Sequence, residues 1–242
     1  MPASSFDSAA PRVEQPLVVA VDGPSGSGKS SVSREVATRL GVRYLDTGAM
    51  YRALTWWVLE QGLDPADPAQ AATVAEAAVT LPLEMVADPA STHVMVGDTD
   101  VSAAIREPRI SAAVSAVATN LDVRATLVDR QQALVQDART DGTGIVVEGR
   151  DITTVVAPDA DVRVLLTASE AARLARRALE VHGSDDAQAI DATRDHVVGR
   201  DAQDATVADF LEAGEGVTVV DSSMLSFEQT VQAVLELVEE KR

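Results

Sequence analysis

Gly23-Pro24-Ser25-Gly26-Ser27-Gly28-Lys29-Ser30 has the spacing G-x-x-x-x-G-K-[ST], with Ser31 following directly. That spacing suits phosphate chemistry. Glycines let successive backbone N–H groups turn toward an anion, the lysine reaches the outer phosphates, and the serine hydroxyl ligates Mg²⁺. The flanks agree with this reading. LVVAV (17–21) predicts a strand buried on both faces, and KSSVSREVATRL places Val32, Val36 and Leu40 at helical spacing with Gly41 as its stop. The competing reading is a flexible glycine turn with an ordinary solvated lysine. Composition weighs against it, because the chain holds 18 Arg but only two Lys, Lys29 and Lys241. A compact ammonium has been kept where a point charge must enter a loop. A dinucleotide fingerprint fails, since Gly26-x-Gly28-x-x-Ser31 lacks the third glycine, and the loop contains no G-x-S-x-G nucleophile elbow.

A nucleoside triphosphate with Mg²⁺ is thus one expected ligand. A guanine-reading Asn-Lys-x-Asp motif is absent, because the single Asn, Asn120, is followed by Leu121. Phosphotransferases with a second, cationic acceptor site remain. Suitable residues stand in Asp46-Thr47-Gly48-Ala49-Met50-Tyr51-Arg52, at Arg124, and in Glu148-Gly149-Arg150-Asp151. Two of these sets follow predicted strands, where a parallel sheet places its sites. Glu148 ends the apolar run IVV as an acidic residue near a metal would, through water. Asp22, just before the loop, suits either the metal region or support of the turn.

Taken in order, VAVDGPSGSGKSSVSREVATRLG, LDTGAMYRA, DVSAAIR, VVEGRDI and VVDSS resemble the bacterial cytidylate kinases over about residues 17–240. The resemblance implies an α/β fold of P-loop nucleoside monophosphate kinase type, with three layers around a central five-stranded parallel sheet. It also implies a small NMP-binding insert at 63–106 and a helical lid at about 173–205. The implied activity is transfer of the ATP γ-phosphate to CMP or dCMP, with Mg²⁺ as cofactor. Residues carried over by motif are Thr47, Tyr51, Arg52, Arg150 and Asp151 at the acceptor, with Arg52 and Arg150 on its phosphate. Ser115 and Arg124 match positions that help read cytosine, and Arg200 and Asp204 match a lid-side pair near the sugar. Arg173, Arg176 and Arg177 resemble the lid helix that closes over the ATP phosphates. Lys29, Arg150, Arg176 and Arg177 are the catalytic cations so implied. The chain departs from the pattern at Val207, where an Arg is usual, and at Thr153, where many members have Gly.

The chemistry of the acceptor is consistent with this set. A nucleotide monophosphate has its second pKa near ~6, so its attacking oxygen is already deprotonated and no general base is expected. A carboxylate at Asp151 facing the base would attract the cytosine N4 amino group and repel the uracil carbonyl. The alternatives are a kinase for another nucleoside monophosphate or a small acceptor such as shikimate, or a nucleotide-binding regulatory protein. The arginines at 52, 124 and 150 favour a second anionic ligand over the last.

These residues need elements to hold them. VRYLD (42–46) predicts a strand and TGAMYRALTWWVLEQG a helix ending at Gly62, with Trp56 and Trp57 on it and at least one of them in the core. Asp67-Pro68 opens another helix through about Val79, as an N-cap followed by proline does. LPLEMV and THVMVGD, within 81–98, predict short strands. Helices follow at about 107–118 and 122–139. Strands are predicted at 145–147, 161–168 and 216–221, with a helix on SEAARLARRALEV, a turn at HGSDDAQ, and a closing helix at 226–240. Strands alternating with helices imply a parallel sheet covered on both faces.

Of the 242 residues, 46% are hydrophobic but only 3% aromatic, so the core must be built from Val, Ala and Leu. Residues 1–16 lack periodicity and are expected to be a disordered tail, leaving 17–242 as one kinase domain. Acidic residues outnumber basic ones 38 to 20, for a net charge of −18, which repels polyanions at long range. Nucleic-acid polymers and membrane surfaces are therefore not expected partners. No Cys is present, and His93, His182 and His196 lack metal-ligand spacing. No apolar run approaches the ~18 residues of a membrane span, and the start lacks a signal-peptide apolar region. A cytoplasmic monomer is the expectation.

Overall fold

Each residue of β1 (Val18–Asp22) is buried, as the apolar run requires. The computed structural model describes residues 16–241, so the expected tail lies outside the described residues except for Pro16. After β1 come α1 (Lys29–Leu40), β2 (Arg43–Asp46) and α2 (Thr47–Glu60). A 3₁₀ turn at Pro68–Gln70 leads into α3 (Ala71–Thr80), then β3 (Leu83–Met85), β4 (Val94–Val96) and β5 (Thr99–Asp100). The second half runs through α4 (Pro108–Ala118), α5 (Leu121–Thr140), β6 (Ile145–Gly149) and β7 (Val162–Thr167). It ends with α6 (Glu170–His182), α7 (Ala187–Arg194), α8 (Arg200–Asp204), β8 (Thr218–Asp221) and α9 (Phe227–Glu239).

Five strands form one parallel sheet in the order β2-β6-β1-β7-β8. Alternation along a strand assigns each residue to one face. On β1, Val18 and Ala20 join the cluster beneath α2 and α5, while Val19 and Val21 join the one beneath α1 and α9. β6 divides the same way, with Ile145 and Val147 on the first face and Val146 on the second. Valine and alanine dominate both clusters, in accord with the low aromatic content. Burying each Val or Leu contributes roughly 1.5–3 kcal/mol.

The inserted segment makes a three-stranded antiparallel sheet, β3-β4-β5, beside α3. Val74, Ala78, Val94 and Val96 share the cluster that holds Leu45 and Leu54, so the insert is packed into the main core. It also covers the open edge of the main sheet, where the Tyr44 N–H donates to Ala87 O at 2.9 Å. An edge strand left unpaired would invite intermolecular pairing. Asp67 caps the turn before α3, its side chain accepting from the Ala69 N–H with Pro68 next, as the sequence predicts. Trp56 and Trp57 both pack half-buried against this core.

Three segments differ from the sequence reading. The strand predicted at 145–147 continues through Glu148 and Gly149, which places Glu148 inside the sheet and fully buried. β8 starts at Thr218, because Gly216 is left-handed at φ 72° and still belongs to the turn. Ile152–Val156, a β-branched run, forms a π-helical turn.

That turn is fixed by Asp22. Its carboxylate accepts from the Ile152 N–H at 2.8 Å, the Thr153 N–H at 2.8 Å and the Thr153 hydroxyl at 2.6 Å. Asp22 is thereby a support of the backbone beside the loop, and its oxygens are taken up. Thr153, unusual for the family pattern, supplies two of the three donors, and its hydroxyl is the one that a Gly there would lack. Close approach also limits Gly23, where an added Cβ would meet Leu166 O at 2.2 Å.

Asp22→Ala leaves three buried donors without their acceptor, at about 1–3 kcal/mol for each unsatisfied group. We expect unfolding free energy to fall by roughly 3 kcal/mol or more in urea titrations. A change below about 0.5 kcal/mol would contradict this role for Asp22.

Candidate active site

The carboxyl ends of β1, β2 and β6 open into a cleft of about 1340 Å³. That exceeds the ~300–1,000 Å³ of a single small-molecule pocket. Of the residues singled out by sequence, Ser25 to Ser31, Thr47, Tyr51, Arg52, Arg124, Glu148, Arg150, Asp151, Arg176, Arg177, Arg200 and Asp204 all line it. Gly23, Pro24, Ser115 and Arg173 lie behind that lining.

Gly28 precedes α1 at φ 91°, a conformation that favours glycine, and no side chain caps the helix. Its first N–H groups are left for an anion. Lys29 is half-buried, with Nζ 3.5 Å from Pro24 O. Burial lowers its pKa, Glu148 pulls the other way, and Arg150 and Arg200 lower it further. Opposite it, burial raises the Glu148 carboxyl to about 7, with the Asp46 charge adding to the rise and Lys29 opposing it. The hydroxyls of Ser30 and Tyr44 also act on Glu148, Tyr44 donating at 3.2 Å. Asp46 itself caps α2 by accepting from the Ala49 N–H at 2.9 Å. A hydroxyl and two carboxylates, Ser30, Glu148 and Asp46, form a hard-oxygen donor set that fits Mg²⁺.

Arg52, Arg150 and Arg200 come together on the acceptor side. Burial lowers the pKa of Arg52 and brings Arg200 down to about 10, the charges of Arg52 and Arg150 adding to the shift at Arg200. Arg150 and Arg200 are thus confined near Lys29, and Arg52 near Arg200, at an electrostatic cost. Arg52 donates to Ser111 Oγ at 3.0 Å, and Arg150 to the Asp201 and Asp204 carboxylates at 2.8 and 3.0 Å. The Arg150 guanidinium also lies 4.3 Å from the centre of the buried Phe210 ring. Thr47 ties α2 to β6, its hydroxyl donating to Glu148 O at 2.9 Å.

Arg124, from α5, forms a buried ion pair with Asp151. Burial raises the Asp151 carboxyl, while Arg124 and its hydrogen bonds offset part of the rise. Tyr51 stands close enough to feel both, and burial pushes its phenol up to about 12. The structure therefore brings together three residues from α2, α5 and the turn after β6.

The arginines of α6 divide by task. Arg173 donates to Ser25 O at 2.8 Å and to Asp201 at 2.5 Å, and Arg176 to Ser27 O at 3.2 Å and Ser222 O at 2.6 Å. Both grip the carbonyl side of the phosphate loop. Arg177 faces the cleft and pairs with Glu180 at 2.7 Å. Val207 lines the cleft with an apolar side chain where the family pattern has a cation.

Sequence reasoning names Asp46 in its candidate stretch without giving it a role, and misses Tyr44, Phe210 and Asp201 as parts of this site. Asp201 had one available signal, the second Gly-Arg-Asp at 199–201, which repeats the triplet at 149–151. Among the described residues no helix is long and apolar enough to cross a membrane.

Comparison with known proteins agrees with this geometry. The family model for cytidylate kinase matches residues 19–240. A cytidylate kinase of Streptomyces avermitilis is 43% identical over 241 residues, covering 98% of this chain and 99% of that protein. One from Cutibacterium acnes is 49% identical over 225 residues, covering 92% and 96%. A solved structure, an uncharacterized protein from Eubacterium ventriosum, aligns with a TM-score of 0.50 at 9% identity over 92% of this chain and 98% of that one, a likeness of fold alone. With a family model spanning nearly its whole length and relatives this similar from end to end, the chain belongs to the cytidylate kinase family.

Proposed function

We propose that this protein transfers the γ-phosphate of ATP to CMP or dCMP, giving ADP and CDP or dCDP. The observation that carries the reading is that Lys29, Arg52, Arg150 and Arg200 line one cleft together with the glycine loop and the Arg124–Asp151 pair. Mutually repelling half-buried cations are stabilised by a polyanion, and two facing phosphate groups supply one.

ATP takes the loop formed by Gly23 to Ser31, its outer phosphates meeting Lys29 and the N–H groups that open α1. Ser30, with Glu148 through water, would hold Mg²⁺, which when bound neutralises charge on the β- and γ-phosphate oxygens. Arg52 and Arg150 hold the acceptor phosphate in line. Its dianionic oxygen attacks the γ-phosphorus, and the bond to the β–γ bridging oxygen breaks as ADP leaves. No side chain has to remove a proton. Arg176 and Arg177 add positive charge on the lid side, and Arg200 with Asp204 borders the sugar. Catalysis then rests on alignment and on charge fixed before the substrates arrive.

Base choice rests on Arg124, Asp151 and Tyr51, with Ser115 behind them. A guanidinium beside a carboxylate offers donors and an acceptor side by side. Cytosine matches with its ring acceptors and N4 amino donor, whereas uracil presents a carbonyl to the carboxylate.

ADP release measured with ATP, Mg²⁺ and a panel of CMP, dCMP, UMP, AMP, GMP and shikimate tests the assignment. Stimulation by CMP or dCMP above the rest is expected. Lys29→Ala should lower turnover by at least ~10²-fold, the scale of losing a preorganised electrostatic donor; near-normal activity would remove it from the phosphates. Asp151→Asn should shrink the CMP-over-UMP ratio in kcat/KM by about 1–3 kcal/mol, or roughly 5- to 150-fold. An unchanged ratio would separate Asp151 from base reading.

A further inference from the structure

Asp201 is buried, lies on α8 and does not line the cleft, yet three charged or polar partners from distant parts of the chain meet on its carboxylate. Oδ1 accepts from the Ser25 N–H at 3.0 Å and from Arg150 at 2.8 Å, and Oδ2 accepts from Arg173 at 2.5 Å. The same two arginines also hold Ser25 directly. Arg150 donates to its hydroxyl at 2.8 Å and Arg173 to its carbonyl at 2.8 Å. Every polar group of Ser25, in the middle of the phosphate loop, is therefore engaged by Asp201 or by an arginine that Asp201 holds.

We infer that Asp201 is a positioning residue that couples the triphosphate loop to the acceptor site through Arg150 and Arg173. The inference rests on the proposed reading of the two sites as those for ATP and CMP. Three elements move as one while the carboxylate is in place: the loop, the lid helices α6 and α8, and the arginine that follows β6. A nucleotide that orders Ser25 and α6 also fixes the direction of Arg150. The second nucleotide then meets an arginine already aimed, so less ordering is left for it to pay for. Burial pushes the Asp201 carboxyl up, but Arg150, the Ser25 amide and Arg173 hold it below the usual range, so it stays an anion throughout the neutral region. Neutralising it would leave Arg150 and Arg173 without the charge they share. Arg150 would keep Asp204 at 3.0 Å and the Phe210 ring, contacts that do not reach the loop.

The test is calorimetric titration of CMP into the protein, without and with a saturating magnesium complex of a non-hydrolysable ATP analogue. In the unaltered protein the analogue should tighten CMP binding at least about five-fold, the lower end of ordinary coupling between sites. In Asp201→Asn, which keeps the shape and loses the charge, the ratio should fall below about two-fold. A side chain needed only for folding would lower the melting temperature and leave the ratio alone. If Asp201→Asn does not fold, Arg173→Gln, which cuts the lid arm of the same network, should reduce the ratio in the same direction. Undiminished coupling in the folded variant, or no coupling in the unaltered protein, would overturn the inference. Failure of CMP to bind the unaltered protein at all would overturn the acceptor assignment itself.

Discussion

Four cations share a space that is largely screened from water, and their mutual repulsion sets the terms for everything around them. Burial lowers the affinity of Lys29 and Arg200 for their own protons, and repulsion adds to it, from Arg150 and Arg200 at Lys29 and from Arg52 and Arg150 at Arg200. Such a cluster is tolerable in a folded chain only with fixed anions beside it. Glu148 stands against Lys29, and Asp201 and Asp204 stand against Arg150. The balance is incomplete, since among the described residues Arg52 has only neutral hydrogen-bond acceptors, Ser111 Oγ and Ile105 O. Incomplete balance is what suits the cleft to anions in the proposed reading.

Holding charges that repel one another requires a frame that does not yield. The sheet supplies it by ending β1, β2 and β6 at the same level, in Asp22, Asp46 and Gly149, through a shared parallel register. From that edge Asp46 caps α2, Asp22 ties down the turn after β6, and Thr47 bridges α2 to Glu148 O. Close backbone packing adds to the stiffness. An added Cβ would fall 2.2 Å from Leu166 O at Gly23 and 2.6 Å from Arg173 O at Gly26. The loop is thus pressed between β7 and α6, and its N–H groups are aimed before any ligand arrives.

Much of this frame could be read from the chain because its signals are local. The buried run of β1, the glycine spacing and the heptad-like pattern of α1 lie within 25 residues, and Asp67-Pro68 announces its own cap. Contacts that decide the chemistry are not local. Ser25 and Asp201 lie 176 residues apart, Tyr44 and Glu148 lie 104 apart, and neither pair shares a pattern that sequence spacing can reveal. The turn at Ile152–Val156 was illegible for another reason. A run of β-branched residues favours a strand locally, and only the three donors meeting on Asp22 overrule it. Between α6 and β8 the helices α7 and α8 are eight and five residues long, too short to show an amphipathic stripe.

The net charge of −18 gains a sharper meaning from this arrangement. At long range the excess of acidic residues repels phosphate compounds, and screening confines that repulsion to about 8 Å at physiological salt. Inside the cleft the count is reversed, since among the described residues nine basic side chains line it against five acidic ones. Choice of side chain follows the same division. Arginine, planar and always charged, can be shared between carboxylates and a ring face as Arg150 is, with Asp201 and Asp204 on its edges and Phe210 against its plane. Lysine, compact and easily shifted by burial, stands in the one position where a point charge must enter a loop of backbone amides. A chain that otherwise carries its positive charge on arginine thus spends one of its two lysines where arginine's fork would not fit the task.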